Sequence, residues 1–177
     1  DAARTGRVLG WPMAIDRDAL NLQAVFAKEL DGPWAQVAGL TVGVAKDFPP
    51  IAVPGDGTAP ARTLAGFVAS GTPAVLYAER RDCRLFWSAV PGLPPPVLRA
   101  LAETAGVPVV CRSDDAVYAG HGFVGIHAAT PGEKTVRLPH PGRVTELISG
   151  RRWPAGTTDV TVPMAAGDTV ILRTTGR

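Results

Sequence analysis

The sequence predicts an α/β domain over residues 1–112 followed by a small all-β antiparallel sandwich over residues 113–177. Three observations point there. Residues 85–110, LFWSAVPGLPPPVLRALAETAGVPVV, read as strand, loop, helix, strand. Composition shifts at Arg112-Ser113-Asp114-Asp115, and no helical period follows. Beyond that point apolar residues alternate in short stretches separated by turn signals, as in antiparallel strands with one wet face.

The strand–helix–strand unit organises the first region. Leu85 to Val90 is an apolar run with two aromatics, short enough for a buried strand. Gly92 and Pro94 to Pro96 break it. Proline is tolerated in a helix's first turn because the N–H groups there have no partner anyway. Val97, Leu98, Leu101 and Ala105 follow at helical spacing, and Gly106 stands where a left-handed C-cap belongs. Val107 to Val110 is a second β-branched run. Such a unit implies two parallel strands and a right-handed crossover. The expected sheet holds Ala74–Glu79, Leu85–Val90 and Val107–Val110, with a Pro95–Ala105 helix burying Leu98 and Leu101 against it.

Upstream, Arg7 to Gly10 reads as a short strand before Trp11-Pro12. Asp18 to Leu30 reads as a helix capped by Asp16 or Asp18, with Leu22, Val25, Phe26 and Leu30 on one side. Asp31-Gly32-Pro33 ends it. Gly39 to Ala45 is a strand weakened by its two glycines. Phe48 to Ala61, rich in Pro and Gly, is a loop. Thr63–Val68, Ala74–Glu79 and the strand at Leu85 form a meander, with turns at Ser70-Gly71-Thr72-Pro73 and Arg80-Arg81-Asp82.

Downstream, Val124, Ile126 and Ala128 share one side. Lys134, Val136 and Leu138 alternate against Glu133, Thr135 and Arg137. Val160 and Val162 alternate against Asp159 and Thr161, and Val170 and Leu172 against Thr169 and Arg173. Pro131-Gly132, Pro141-Gly142, Ala155-Gly156 and Gly167-Asp168 mark turns.

Composition narrows the function classes. The net charge of +2 is near balance, and Arg80–Arg81 and Arg151–Arg152 are the only basic doublets. Nucleic-acid binding wants a denser patch, so no nucleic-acid partner is expected. No apolar stretch is long enough to span a membrane as a helix, and no membrane partner is expected. Cys83 and Cys111 form no disulfide framework and read as free thiols. The chain opens on DAARTG without an initiator Met, as a piece of a longer polypeptide would.

Three segments carry a resemblance: FWSAVPGLPPPVLRALAETAGVPVV, DDAVYAGHGFVGIHAATPGEKTVRLPHPGRVTELISG and VPMAAGDTVILR. Together they resemble the C-terminal region of β-galactosidase-like glycoside hydrolases related to family 42. The resemblance covers roughly 63–177, and residues 1–62 match more loosely. It departs at Ala119-Gly120-His121, where the family often has Ala-Asn-Arg, and at Thr145-Glu146-Leu147, where Asp is common before Leu. It implies a catalytic barrel outside this chain, then the tail of an amidotransferase-like, Rossmann-like α/β domain, then a β-sandwich. The implied function is a non-catalytic accessory region that packs on the barrel of the same polypeptide and builds an oligomer. The competing expectation is a free-standing carbohydrate-binding or protein-interaction module.

The residues themselves offer no catalytic constellation. Cys83 in RRDCRLF lacks the glycine-flanked elbow of an amidotransferase nucleophile, and no histidine precedes His121. His121, His127 and His140 lack the converging partners of a metal site, so no metal or cofactor is expected. Glycoside hydrolysis needs two carboxylates about 5–10 Å apart. Glu79, Glu103, Glu133 and Glu146 stand in unrelated local contexts. The prolines after Gly92 remove the backbone donors of a phosphate cradle. What remains are candidate sugar or domain-interface contacts: Trp87, Tyr118, His121, Phe123, His127 and Trp153. Flat aromatic rings can pack on a sugar's apolar face. The plainer account makes Trp87 core and Trp153 a plug before Pro154. Val117–Phe123 and His127 are expected at the joint between the two domains.

Overall fold

The computed structural model describes residues 7–8, 11–16, 22–44, 51–54 and 61–175. It divides into two compact units, Asp1–Ala105 and Gly106–Arg177.

In the first unit β1 (Arg7–Val8), β2 (Trp11–Asp16) and β5 (Ile51–Pro54) form a small antiparallel sheet. The larger sheet contains β3 (Ala24–Phe26), β4 (Thr41–Val42), β6 (Arg62–Phe67), β7 (Pro73–Glu79) and β8 (Arg84–Ser88), ordered β4-β3-β6-β7-β8. Every neighbouring pair is antiparallel. The connections explain why. The β6–β7 turn closes with Gly71 N–H donating to the Phe67 carbonyl and Phe67 N–H to that of Thr72. The β7–β8 turn closes with Arg80 N–H on the Cys83 carbonyl. Connections this short join only antiparallel strands.

One face of β7–β8 carries Tyr77 and Phe86, which pair across the strands. Trp34, buried in a 3₁₀ turn over Gly32–Val37, lies flat on Phe86 with 5.9 Å between centroids and tilts against Tyr77 at 6.1 Å. Helix α1 (Pro95–Thr104) adds Val97 and Ala100 to the same core. Its carboxyl end is held by Arg84 Nη1, which donates to the Thr104 carbonyl at 2.7 Å, and Gly106 beyond it adopts φ +75°. The opposite face of β7–β8 buries Leu76 and Ala78 beside Leu85 and Trp87.

The expected α/β layer, and with it the amidotransferase-like, Rossmann-like assignment, is overturned. Val107–Val110 forms no strand, and Val110 and Cys111 pack into the second unit's core. Without that strand there is no parallel crossover, so α1 simply covers an antiparallel sheet. Its buried stripe is also rotated from expectation. Val97 and Ala100 are buried and Leu101 is half-buried, while Leu98 is 50% exposed and Ala105 is exposed.

Where a helix is expected over Asp18–Leu30, the described residues hold a three-residue strand, Ala24–Phe26, and no helix. Leu22, Ala24 and Phe26 satisfy a period of two as well as Leu22, Val25 and Phe26 satisfy a helix. Pairing with Ala65–Phe67 of β6 selects the extended form, burying Ala24 and Phe26 and leaving Val25 outward. The proposed caps fall partly among residues 17–21, outside the described residues. The strand at Gly39–Ala45 shrinks to Thr41–Val42 between glycines at φ +73° and +79°. A Cβ on Gly43 would lie 2.0 Å from the Leu22 carbonyl oxygen, so no other residue fits. The loop expected over Phe48–Ala61 contains β5, and residues 48–50 and 55–60 lie outside the description.

The second unit contains β9 (Ala116–Gly120), β10 (Phe123–His127), β11 (Gly132–Glu146), β12 (Arg152–Met164) and β13 (Thr169–Thr175), ordered β12-β11-β13-β10-β9. All pairs are antiparallel. β11 is longer than its alternation predicts and serves two layers. Gly132–Arg137 pairs with β12 alone, whereas the second half pairs with β12 through Gly142, Val144 and Thr145 and with β13 through Arg143–Glu146. The register shifts between Arg137 and Val144. Pro139 and Pro141 fall there, where a missing ladder N–H is tolerated. This bend folds a continuous sheet over one core. Val124, Ile126 and Leu172 meet Val136, Leu138, Val160, Val162 and Met164. The expected sandwich character is present, with each predicted apolar phase facing in.

Candidate functional site

The most distinctive surface is the outer face of the second unit's sheet. Paired residues in antiparallel strands share a face, and every second residue along a strand returns to it. The register therefore maps this face directly. Gly125 pairs with Tyr118 on one side and Ile171 on the other. Phe123 and His127 flank Gly125 along β10. A Cβ built on Gly125 would meet nothing within 4 Å. The result is a pit with a backbone floor and four side-chain walls. Tyr118 is 76% exposed, Phe123 44% and Ile171 36%, so the walls stand in solvent.

The next row on this face is basic. Phe123 pairs with Arg173, Arg173 with Thr145, and Thr145 with Arg152. Arg143 precedes Thr145 by two residues and faces the same way. Arg143, Arg152 and Arg173 are exposed around Thr145. No acidic side chain pairs with these three among the described residues. At the far side His127 Nδ1 lies 3.0 Å from Thr169 Oγ1, which fixes the imidazole and leaves Nε2 for another partner.

The structure sorts the six candidate residues. It brings Tyr118, Phe123 and His127 together on this face. His121 sits at the tip of the β9–β10 hairpin with φ +50°, followed by Gly122 at +80°, the two left-handed residues that a type I′ turn requires. Trp153 lies on the opposite, core side, pairing with Val144, and the Arg151 guanidinium covers its ring at 4.7 Å. Trp87 belongs to the first unit and packs beside Leu76 and Ala78. Sequence reasoning missed Gly125, Ile171 and the arginine row. The available signal was Ile171, an apolar residue in the polar phase between Thr169 and Arg173.

Other chemically active groups serve the fold. Lys134 and Asp115 form an ion pair at 2.9 Å with side chains 5% and 1% exposed. Asp115 Oδ1 accepts the Ala129 N–H at 2.8 Å, and Lys134 Nζ donates to Thr130 Oγ1 at 3.1 Å. Hydrogen bonding from Ser113 and from Lys134 holds the Asp115 carboxyl down at about 2 despite its burial. Glu146 is 4% exposed and caps the β11–β12 turn, accepting from the Ile148 and Ser149 N–H groups. Burial opposes its ionisation, yet these hydrogen bonds outweigh it and lower its pKa.

In the first unit the β7–β8 turn and the end of α1 line an open depression of about 510 Å³ with Arg80, Arg81, Arg84 and the exposed thiol of Cys83. Glu79 there accepts from the Tyr77 hydroxyl at 2.7 Å and lies 3.6 Å from Arg84. Glu103 accepts from Gln36 at 3.2 Å, and Glu133 lies exposed on β11. Glu79, Glu103 and Glu146 are thus each engaged in separate surroundings. Among the described residues no three His, Cys, Asp or Glu side chains converge as a metal site, and no helix is long and apolar enough to cross a membrane. Both cysteines are free thiols.

No family model matches this chain, and no curated protein does. Solved structures do. A β-galactosidase from Bacillus circulans sp. alkalophilus superposes with a TM-score of 0.51 at 17% identity, covering 86% of this chain and 22% of that one. A cold-adapted β-galactosidase from Rahnella sp. R3 gives 0.46 at 13% identity, covering 84% and 22%. The first likeness shows a shared fold. This chain has the fold of a β-galactosidase segment and spans about a fifth of the length of the proteins it resembles.

Proposed function

We propose that this chain is a non-catalytic accessory region of a β-galactosidase-like glycoside hydrolase, related to family 42 and acting in carbohydrate degradation. In this proposal the catalytic barrel is carried elsewhere on the same polypeptide, and this region packs on it and contributes to an oligomer. The observation that carries it is the likeness over 86% of this chain to only 22% of a β-galactosidase. The local chemistry agrees. Retaining or inverting hydrolysis needs two carboxylates poised about 5–10 Å apart around the bond. Here Glu79 is tied to Tyr77 and Arg84, and Glu146 is buried as a turn cap.

The test uses the full coding sequence. The complete polypeptide should hydrolyse an aryl β-galactoside, and the isolated 177-residue chain should release nothing above buffer. Deleting this region should alter the assembly state in sedimentation and lower the melting temperature. Turnover by the isolated chain, or a coding sequence without a barrel, would overturn the proposal. A second reading, a free-standing binding module, is favoured by one observation, the solvent-exposed rings of Tyr118 and Phe123.

A further inference from the structure

We infer that the outer face of the second unit's sheet binds an acidic saccharide, with one pyranose ring in the pit over Gly125 and an anionic group on the arginine row. Adjacent strands lie about 4.8 Å apart and alternate residues of a strand about 6.8 Å apart. Tyr118 and Ile171 therefore stand about 10 Å apart across Gly125, and Phe123 and His127 about 14 Å apart along β10. Once the side chains fill their share, the opening is the footprint of one sugar ring.

The wall chemistry suits that ligand. A pyranose presents a C–H face and a rim of hydroxyls. Tyr118, Phe123 and Ile171 supply flat or aliphatic surface, while the Tyr118 hydroxyl and His127 Nε2 supply hydrogen-bonding atoms at the edge. An apolar protein partner would desolvate the Arg173 guanidinium and the free Nε2 edge of His127 without supplying them partners, which is costly.

The charge comes from the neighbouring row. Arg173 borders the pit, and Arg152 and Arg143 stand beyond it around Thr145, so a sugar chain leaving the pit across β13 meets three guanidinium groups. Guanidinium forks match carboxylate and sulfate oxygens in paired hydrogen bonds. No carboxylate pairs with these arginines among the described residues. Two aromatic rings and a near-neutral chain fit a short oligosaccharide better than a nucleic-acid strand, which wants a longer basic track. The inference stands apart from the accessory-region proposal, because a lone module would present the same face.

The experiment titrates the intact chain with trigalacturonate, with a neutral galactose trisaccharide and with a single-stranded oligonucleotide, by calorimetry and by amide chemical shifts. Trigalacturonate should bind in the millimolar range or tighter, shift the Tyr118, Gly125 and Arg173 resonances, and weaken as ionic strength rises. The neutral trisaccharide should bind about tenfold more weakly, and Arg173→Ala should cost the acidic ligand about tenfold. Gly125→Val puts a branched side chain into the pit at a position where a Cβ meets nothing within 4 Å, so it should keep the melting temperature and lose binding. If that variant misfolds, Tyr118→Ala at a 76% exposed position carries the same test. Absence of trigalacturonate binding, equal affinity for the neutral sugar, tighter binding of the oligonucleotide, or binding untouched in Gly125→Val or Tyr118→Ala would each overturn the inference.

Discussion

The two units both build five-stranded antiparallel sheets, but they bury them differently. In the first unit β7 buries Ala74, Val75 and Leu76 in succession. One of its faces lies under Trp34 and α1, and the other joins Leu85 and Trp87. In the second unit Val124 and Ile126 of β10, Lys134, Val136 and Leu138 of β11 and Val160, Val162 and Met164 of β12 are buried at every second position, with less buried residues between them. A strand covered on both faces has no reason to alternate, and it then carries the continuous apolar run typical of parallel sheets. The first unit imitated an α/β domain for that reason. The second could not be misread, because a one-residue slip would turn its whole apolar set outward.

The cores differ in chemistry as well. Among the described residues, the first unit's buried side chains are apolar. The second encloses the Lys134–Asp115 ion pair, which ties the entry segment to the start of β11. The largest effect that would sharpen this contrast is Phe67→Ala. Phe67 is 2% exposed, and its truncation should destabilise the first unit by about 3–5 kcal/mol. Hydrogen exchange resolved by residue should show faster opening of β3 and β6–β8 with β10–β13 unchanged. Equal acceleration of both sheets would mean that the two units unfold as one.

Acid should act on the other unit. Asp115 has a folded pKa depressed to about 2 from an ordinary 3.8, so the fold favours its ionised form. The resulting stability is complete above the unfolded value and is lost as pH falls through about 2. At about 1.4 kcal/mol per pKa unit it amounts to about 2 kcal/mol. Exchange in β11 and its neighbours should therefore accelerate between pH ~4 and ~2, and Asp115→Asn should remove Asp115's share of that acid dependence while leaving that of Glu146, whose pKa is also lowered. An unchanged acid profile in the variant would show that the pair does not govern this unit's acid stability.

The smallest effect belongs to Leu98→Ala. Leu98 is 50% exposed on α1, and its loss should change stability by no more than about 0.5 kcal/mol. A cost near that of Phe67→Ala would show that the helix packs on a different stripe from Val97 and Ala100.

Much of this protein was legible in its sequence. Period-two alternation placed Val124, Ile126, Val136, Leu138, Val160, Val162 and Leu172 in one core, because burial on a single face leaves that trace in any strand. Even Lys134 read as inward-facing from its phase. The prolines before Val97 and the glycine at 106 bounded α1, since ring and backbone constraints act locally. Tertiary structure alone decided what depends on distant partners. Asp115 could not be matched to Lys134, nor Gly125 to Tyr118 and Ile171, until the strand order was known. Whether Leu22, Val25 and Phe26 wind into a helix or Leu22, Ala24 and Phe26 extend into a strand rested on β6, about forty residues away. Val107–Val110 has the composition of a strand, yet it lies beyond the end of α1, where its last residue joins the other unit's core. Local propensity proposes such elements, and the free energy of burying them against residues far along the chain selects among them.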